Sequence, residues 1–411
     1  MSGRTTPVPL VVDQLIDDRR TRIIVCCGSG GVGKTTIAAA VGLRAAERGR
    51  HVVVLTVDPA RRLAQSMGLT SLDNTPRLVT GIRTGDSRHP RTDGGGPDER
   101  GPAGQAGHRG QPDDAGSMHA MMLDMKRTFD EIVESHADPD RAAQILANPF
   151  YQSLSSSFAG TQEYMAMEKL GQLRRADEWD LIVVDTPPSR SALDFLDAPQ
   201  RLGRFLDGRL LRLLVAPAKL GGRTGLRVLN AGFGMVTGVV TKIIGGQLLR
   251  DVQTFVSAMD TMFGGFRERA EYTYRLLRAP GTAFLVIAAP EHDALREASY
   301  FVERLERDGM PLAGLILNRV HRSPAARLSA ARSLAAAETL EGLDDSESSA
   351  LGINALRLHA ERMRQAESER RLARRFTAAH PFVPVAQIPA QPDDVHDLFG
   401  LRVIGAAFTG K

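Results

Sequence analysis

Cysteine is almost absent from this chain of 411 residues, which contains only Cys26 and Cys27. Two adjacent cysteines cannot supply the spaced ligand pairs of a structural zinc site, and they exclude a framework of disulfides. This cysteine usage fits a reducing compartment, and we therefore expect a cytoplasmic protein.

Long apolar segments and dense clusters of one charge are also lacking. The uncharged, apolar stretch Val228–Thr241 has 14 residues and is interrupted by glycines, whereas a helix that crosses a bilayer needs about 20. Met1–Arg22 has no apolar centre of the kind found in signal peptides. The net charge is +4, without a block of Lys and Arg interleaved with aromatic residues. We therefore expect a protein that is not embedded in a membrane and has no nucleic-acid partner.

Short apolar runs rich in β-branched residues alternate with segments of helical character. Runs that are apolar throughout are typical of parallel strands covered by helices on both faces. The pattern predicts an α/β fold, a mostly parallel, doubly wound sheet of about seven or eight strands with an inserted helical subdomain. The predicted strands are Ile23–Cys27, Val52–Val57, Ala120–Leu123, Leu181–Val184, Phe284–Ile287, Leu315–Leu317 and Val383–Ile388.

A glycine-rich loop follows the first of these strands and precedes an Ala-rich segment, Thr35–Glu47, that is predicted to be helical. This order of strand, loop and helix predicts a P-loop that binds Mg-ATP, because close-packed backbone N–H groups and a helix N-terminus favour phosphate. Lys34 is expected to reach the β- and γ-phosphates, Thr35 to bind Mg²⁺, and Thr36 to lie near the α-phosphate. The predicted nucleotide-binding residues of the loop are Gly28, Ser29, Gly30, Gly31, Val32, Gly33, Lys34, Thr35 and Thr36.

Two aspartates end predicted strands and are expected at the same edge of the sheet as the loop. Asp185 follows Leu181–Val184, where an acidic residue of a P-loop fold holds magnesium through water. Asp58 follows the second strand and is a candidate to bind Mg²⁺ or to activate the attacking water. From position alone, Asp58 is equally a helix cap for the segment Arg61–Met67.

The domain boundaries follow from composition. Residues 1–80 hold the loop and Asp58, and 118–411 hold the remainder of the nucleotide-binding domain, with helical insertions at about 126–173, 200–277 and 325–376. Residues 81–117 are crowded with Gly, Pro, Asp and Arg and have almost no apolar residue. We interpret them as a disordered insertion.

Five short segments, in their order and spacing, resemble the arsenite-pump ATPase family, which includes the factor that targets tail-anchored membrane proteins. The resemblance covers nearly the whole chain outside 81–117. It implies an ATPase that works as a dimer, in which Asp58 positions the hydrolytic water, Asp185 belongs to a switch that follows nucleotide state, and Asn318 reads adenine. It also implies that Gln387, Ile388 and Pro389 form a loop that closes over the base. The matching segments are Gly30–Thr36, Asp58–Ala60, Asp185–Pro188, Pro290–Glu291 and Asn318–Arg319.

The sequence departs from that family at the glycine loop, where a lysine that reaches the partner subunit's nucleotide is replaced by Ser29. Three interpretations remain open: a heterodimer with a paralogue that retains the lysine, a slow homodimer, or substitution by Arg61, Arg62 or Arg190. Both cysteines lie on the strand entering the loop, and this placement argues against the thiol-based metalloid site of the pumps. A zinc-binding cysteine pair between subunits is also lacking, so a dimer must rest on other contacts.

An apolar block rich in glycine and methionine lies between the fourth and fifth strands, with Gly232–Ile244 at its centre. By the resemblance, it forms a groove for an apolar client helix, so that the ATPase binds and releases a membrane protein. The alternative for the block is ordinary core, since apolar residues at helical spacing are usually buried. The alternative for the whole chain is the energising subunit of an arsenite-like anion transport system.

Overall fold

A computed structural model describes residues 8–57, 64, 66–69, 71–83, 116–149, 151–152, 161–186, 268–342 and 347–410. Asp58, the centre of the apolar block at 232–244, and residues 84–115 of the expected insertion lie outside these ranges. Gly81–Arg83 and Gly116 are described without regular structure, and the expected insertion overlaps the sheet at its far end, because a strand begins at Ser117.

Eight strands form one sheet in the order β3-β4-β2-β5-β1-β6-β7-β8. Every neighbouring pair is parallel except β3 and β4, which are antiparallel. The predicted α/β fold with a mostly parallel sheet is therefore confirmed, and it is that of a P-loop NTPase. The strands are β1 Ile23–Gly28, β2 His51–Thr56, β3 Arg77–Leu78, β4 Ser117–Met122, β5 Leu181–Asp185, β6 Thr282–Ala288, β7 Leu312–Val320 and β8 Val385–Pro389.

The central strands are buried along their whole length because helices cover both faces of the sheet. All residues of β1, β5 and β6 are buried, as the apolar runs of the sequence predict. The glycine loop leaves β1 at the centre of the sheet, between β5 and β6. The helices are α1 Val12–Asp17, α2 Lys34–Glu47, α3 Met125–His136, α4 Pro139–Leu146, α5 Thr161–Ala176, α6 His292–Arg307, α7 Ala330–Glu341, α8 Glu347–Ala379 and α9 Leu398–Ala406, and residues 268–278 are also helical.

The third predicted helical block, 325–376, forms an antiparallel pair of helices, α7 and α8. The pair has a small core of its own, in which Ala330, Ala360 and Met363 are buried. The far end of α8 belongs to the main core instead, where Phe376 is buried. Among the described helices, none is both long enough and apolar enough to cross a bilayer.

Candidate nucleotide-binding site

The glycine loop adopts backbone conformations that L side chains rarely adopt. Gly28, Gly31 and Gly33 have φ angles of 151°, 76° and 91°. A Cβ atom at Gly28 would lie 2.1 Å from the Ile287 carbonyl oxygen, so only glycine allows β1 to leave the sheet at this point. Among the described residues, a Cβ at Gly31 would meet nothing within 4 Å. The backbone of this turn therefore faces open space, as a loop that wraps phosphate must.

Helix α2 begins at the end of this loop, and its N-terminus points into the same space. Its N-cap is Gly33, which supplies no side-chain hydrogen bond to the first turn. The N–H groups of that turn are thus open to an anionic ligand, which the helix dipole also favours. Lys34 is buried, and its Nζ donates to the Ser29 carbonyl oxygen at 2.8 Å. The ammonium group is therefore held against the loop, where it can serve phosphate as a fixed charge.

Asp185 connects the loop helix to two strands. Its Oδ2 accepts a hydrogen bond from Thr35 Oγ1 at 2.7 Å and another from Thr56 Oγ1 at 2.9 Å. The Asp185 backbone carbonyl accepts the Val57 N–H at 3.1 Å. Asp185 is fully buried, and a buried carboxylate is stable only where hydrogen bonds and cations compensate for lost water. A hydroxyl and a carboxylate in contact are hard oxygen donors of the kind that Mg²⁺ prefers, so these residues fit that ion.

The hydroxyls of Thr56 and Thr186 were not singled out from the sequence. Thr186 donates from both its backbone N–H and its Oγ1 to the Cys26 carbonyl oxygen, at 3.2 and 2.9 Å. These bonds fix the end of β5 against β1, one residue beyond Asp185. A threonine at the end of a buried strand is unremarkable in sequence, because β-branched residues are favoured there in any case.

Asn318 lies on β7 and reaches the glycine loop. Its Nδ2 donates to the Val32 carbonyl oxygen at 2.9 Å, and the side chain is buried. A Cβ at Gly33 would lie 2.4 Å from the same Nδ2, so this glycine is also required for the approach of Asn318. The structure thus brings Asn318 to the nucleotide loop, where it braces the backbone. Its reading of adenine stays a prediction.

The position of Gln387, Ile388 and Pro389 corrects the expectation of a loop over the base. All three belong to β8, where Gln387 is in register with Leu317. Ile388 is fully buried, because the apolar run that contains it completes the sheet beside β7. Its side chain packs in the core and is not available to a base. Contact with the base stays a prediction for the exposed Gln387 and for Pro389.

The two cysteines lie on the strand that leads into the loop, and their thiols are unreactive at neutral pH. Burial, followed by the nearby Asp185 carboxylate, raises the pKa of Cys26 well above its usual range. Burial also raises the pKa of Cys27 to about 12. Both thiols therefore stay protonated at neutral pH and are poor metal ligands and nucleophiles.

The family model for anion-transporting ATPases matches residues 21–82 and 116–346. The chain belongs to that family. The match includes the glycine loop, Asp185 and Asn318, and it ends before α8. Membership in this ATPase family implies nucleotide binding, in agreement with the geometry of the loop.

Several relatives of known name are similar to the chain at low identity. ATPase ARSA1 of Chlamydomonas reinhardtii is 24% identical over 75% of this chain and 36% of its own length. ATPase GET3 of Malassezia globosa is 24% identical over 48% of each chain. ATPase get3 of Schizosaccharomyces pombe is 21% identical over 77% of this chain and 79% of its own. The chain therefore spans about a third and about half of the length of the first two relatives.

Proposed function

We propose that this member of the anion-transporting ATPase family hydrolyses Mg-ATP and uses the reaction to open and close a dimer that binds and releases a protein client with an apolar helix. The observation that carries the ATPase part is the contact between Thr35 and Asp185 at 2.7 Å, beside the open turn at Gly31. It brings residues that fit Mg²⁺ and a backbone turn that fits phosphate to one edge of the sheet, which supports this part of the proposal.

The roles of the residues follow from this geometry. The N–H groups of the glycine loop and of the first turn of α2 bind the phosphates, and Lys34 adds a positive charge. Thr35 and Asp185 would hold Mg²⁺, which neutralises charge that develops on the phosphates. Asp58 is proposed to position the attacking water. It lies outside the described residues, but Val57 before it is tied to Asp185 by a backbone hydrogen bond of 3.1 Å.

We propose that a homodimer of this chain lacks a charge that its nucleotide sites need, because Ser29 replaces the lysine that the family has at this position of the glycine loop. Ser29 is buried, and among the described residues its Oγ has no hydrogen-bond partner. A serine is too short to reach a nucleotide in a second subunit, and it carries no charge. We therefore favour a heterodimer with a paralogue whose loop provides a lysine at this position. A homodimer that uses Arg61, Arg62 or Arg190 instead is the competing arrangement.

The test is steady-state ATP hydrolysis as a function of protein concentration, for the chain alone and mixed with a co-encoded paralogue, with Lys34→Ala as the blank. We expect low activity alone and a sharp rise on mixing. Ser29→Lys is expected to raise the activity of the chain alone, whereas Ser29→Met, of similar length but without charge, is not. Full activity alone that Ser29→Lys does not change would contradict the heterodimer.

The client part of the proposal rests on the names of the GET3 relatives and on the apolar block at 200–277, of which only residues 268–277 are described. Hydrogen exchange with and without Mg-ATP tests it. We expect protection of Phe233–Ile244 to change with nucleotide state. Equal, strong protection in every state would assign the block to the core.

The family description favours, as a second candidate, an ATPase that energises anion transport. A chain whose hydrolysis responds to an anion, and not to an apolar peptide, would support that candidate.

A further inference from the structure

The edge of the sheet opposite the glycine loop carries several exposed arginines and an exposed phenylalanine. Parallel strands joined by helices return the chain to this amino edge, so the last turns of α6 and α8 and the first residues of β6, β7 and β8 all lie there. A Cβ at Gly309, in the turn before β7, would lie 3.0 Å from Arg278 Nη2, so Arg278 joins the group. We define the amino-edge patch as Arg278, Arg307, Arg371, Arg374, Arg375 and Phe382, all of them exposed.

The arginines of this patch have no acidic partner among the residues that the structure describes. Within the described parts of the chain, none of the five forms an ion pair, although other arginines at the same edge do. Arg304 bonds Asp308 at 2.6 Å and Arg22 bonds Asp177 at 2.8 Å. Arg278 lies over the ring of Tyr274, with 5.9 Å between the guanidinium carbon and the ring centroid. Several arginines at one edge without an acidic partner among the described residues attract a polyanionic partner.

The centre of the patch is apolar. Phe382 follows the last turn of α8, and 91% of its surface is exposed. Val8 is also exposed, and its carbonyl oxygen accepts the N–H of Val385, the first residue of β8, at 2.9 Å. Single exposed apolar side chains are common on protein surfaces, but these two lie at the same edge of the sheet as the unpaired arginines. Arginines that share one edge with an exposed aromatic and an exposed aliphatic side chain form the pattern of a surface that lies at a membrane interface.

A nucleic acid fits these observations less well. Binding of single strands uses several aromatic side chains on which successive bases stack, along a positively charged groove. Here Phe382 is the one exposed aromatic side chain of the patch, since Tyr274 is half-buried beneath Arg278, and Val8 offers a base no stacking surface. An acyl-chain region accepts both side chains, while anionic headgroups accept the guanidinium groups.

From this geometry we infer that the amino-edge patch docks the protein on an anionic lipid bilayer, with the arginines at the headgroups and Phe382 inserted between them. The nucleotide site then faces away from the membrane, because it lies at the other end of the strands. The family match ends at residue 346, so most of this surface belongs to the part of the chain outside the match. The inference does not depend on the proposed ATPase cycle.

The experiment is co-sedimentation of the full chain with two kinds of vesicle, a mixture of phosphatidylglycerol and phosphatidylcholine, or phosphatidylcholine alone. We expect binding to the anionic vesicles only, weakened by salt. Each arginine near such a surface contributes about fivefold to binding, so Arg374→Gln combined with Arg375→Gln is expected to weaken it by about 25-fold. Phe382→Ser is expected to weaken it by about tenfold through lost apolar contact.

The matched control is Arg327→Gln combined with Arg332→Gln, which removes the same charge from the turn before α7 and from the first turn of α7, at the carboxyl edge. It should bind as the native chain does. Equal binding to both kinds of vesicle, or unchanged binding by the Arg374/Arg375 variant, would overturn the inference. So would binding of a labelled oligonucleotide that depends on these arginines while vesicles are not bound. Thermal denaturation checks folding of each variant. If the arginine variant does not fold, Phe382→Ser decides, because its side chain has almost no packing to lose.

Discussion

The contact between Asn318 and the glycine loop provides a sharp test of how the site is built. In Asn318→Asp the donor that faces the Val32 carbonyl at 2.9 Å becomes a carboxylate oxygen of the same size. The lost hydrogen bond to Val32 costs about 1 kcal/mol. The new carboxylate oxygen is a buried acceptor without a donor, and it adds about 1–3 kcal/mol. The loop conformation should therefore be destabilised by about 2–4 kcal/mol, a sum of these two contributions.

This penalty lowers the fraction of molecules whose loop is correctly formed, and the apparent affinity for the nucleotide falls with that fraction. Affinity for Mg-ATP should fall by about 30-fold to several hundred-fold for Asn318→Asp, since each 1.4 kcal/mol is a factor of ten. Asn318→Ala loses the bond without adding a charge, and it should cost only about fivefold. Asn318→Asp is thus expected to weaken Mg-ATP binding more than Asn318→Ala does. Lower pH should restore part of the affinity of Asn318→Asp, because a protonated carboxyl can again donate to Val32.

Calorimetric titration of both variants with ADP, ATP and GTP in the presence of Mg²⁺ measures these effects. Loss of the brace should weaken ATP and GTP by the same factor, whereas loss of adenine reading should remove only the preference for ATP. Native affinity in Asn318→Asp, or a greater loss in Asn318→Ala than in Asn318→Asp, would refute the bracing role.

Three further predictions concern stability and reactivity. Arg50 is buried and donates to the carbonyl oxygens of Ile16, Thr21 and Asp180 at 2.8, 2.5 and 2.6 Å, so Arg50→Met should lower the free energy of unfolding in urea by about 3 kcal/mol or more. With its pKa of about 12, Cys27 should react with a thiol reagent at pH 8 about three orders of magnitude more slowly than an ordinary thiol, until urea unfolds the chain. Burial, then the charge of His51, lowers the pKa of His119 below 6.5. The unfolded chain therefore takes up this proton first, stability should fall as pH drops below about 6.5, and His119→Phe should flatten that dependence.

Most of the sheet could be predicted because its strands are apolar on both faces. Seven runs predicted from sequence became β1, β2 and β4–β8 with shifts of a few residues at their ends. The remaining strand, β3 (Arg77–Leu78), could not be predicted, because it consists of two exposed residues and has no periodicity to detect. Helix α8 was expected within a longer helical block that ended at 376. The helix instead begins at Glu347 and continues to Ala379.

The candidate site divides in the same way between local and distant information. Gly28–Thr35 form a local motif, so the loop and its helix could be located from the sequence alone. Asn318 was found only through the family resemblance, and its partner Val32 lies 286 positions away. No local pattern specifies such a contact. The burial of Ile388 shows the converse error, in which a resemblance assigned a loop where an apolar run continues the sheet.

The hydrogen bonds at the carboxyl edge give Asp185 a role beyond that of a ligand. Its side chain accepts from Thr35 on the loop helix and from Thr56 on β2, while its backbone accepts from Val57. If the Thr35 hydroxyl bonds to another group, the Asp185 carboxylate therefore loses one of its hydrogen bonds. The end of β2, which is bonded to Asp185, is then affected as well. Because Asp58 follows Val57 directly, and Thr186 follows Asp185, one buried carboxylate stands where two segments leave the sheet. These hydrogen bonds therefore link the loop helix directly to the ends of both strands from which those segments leave.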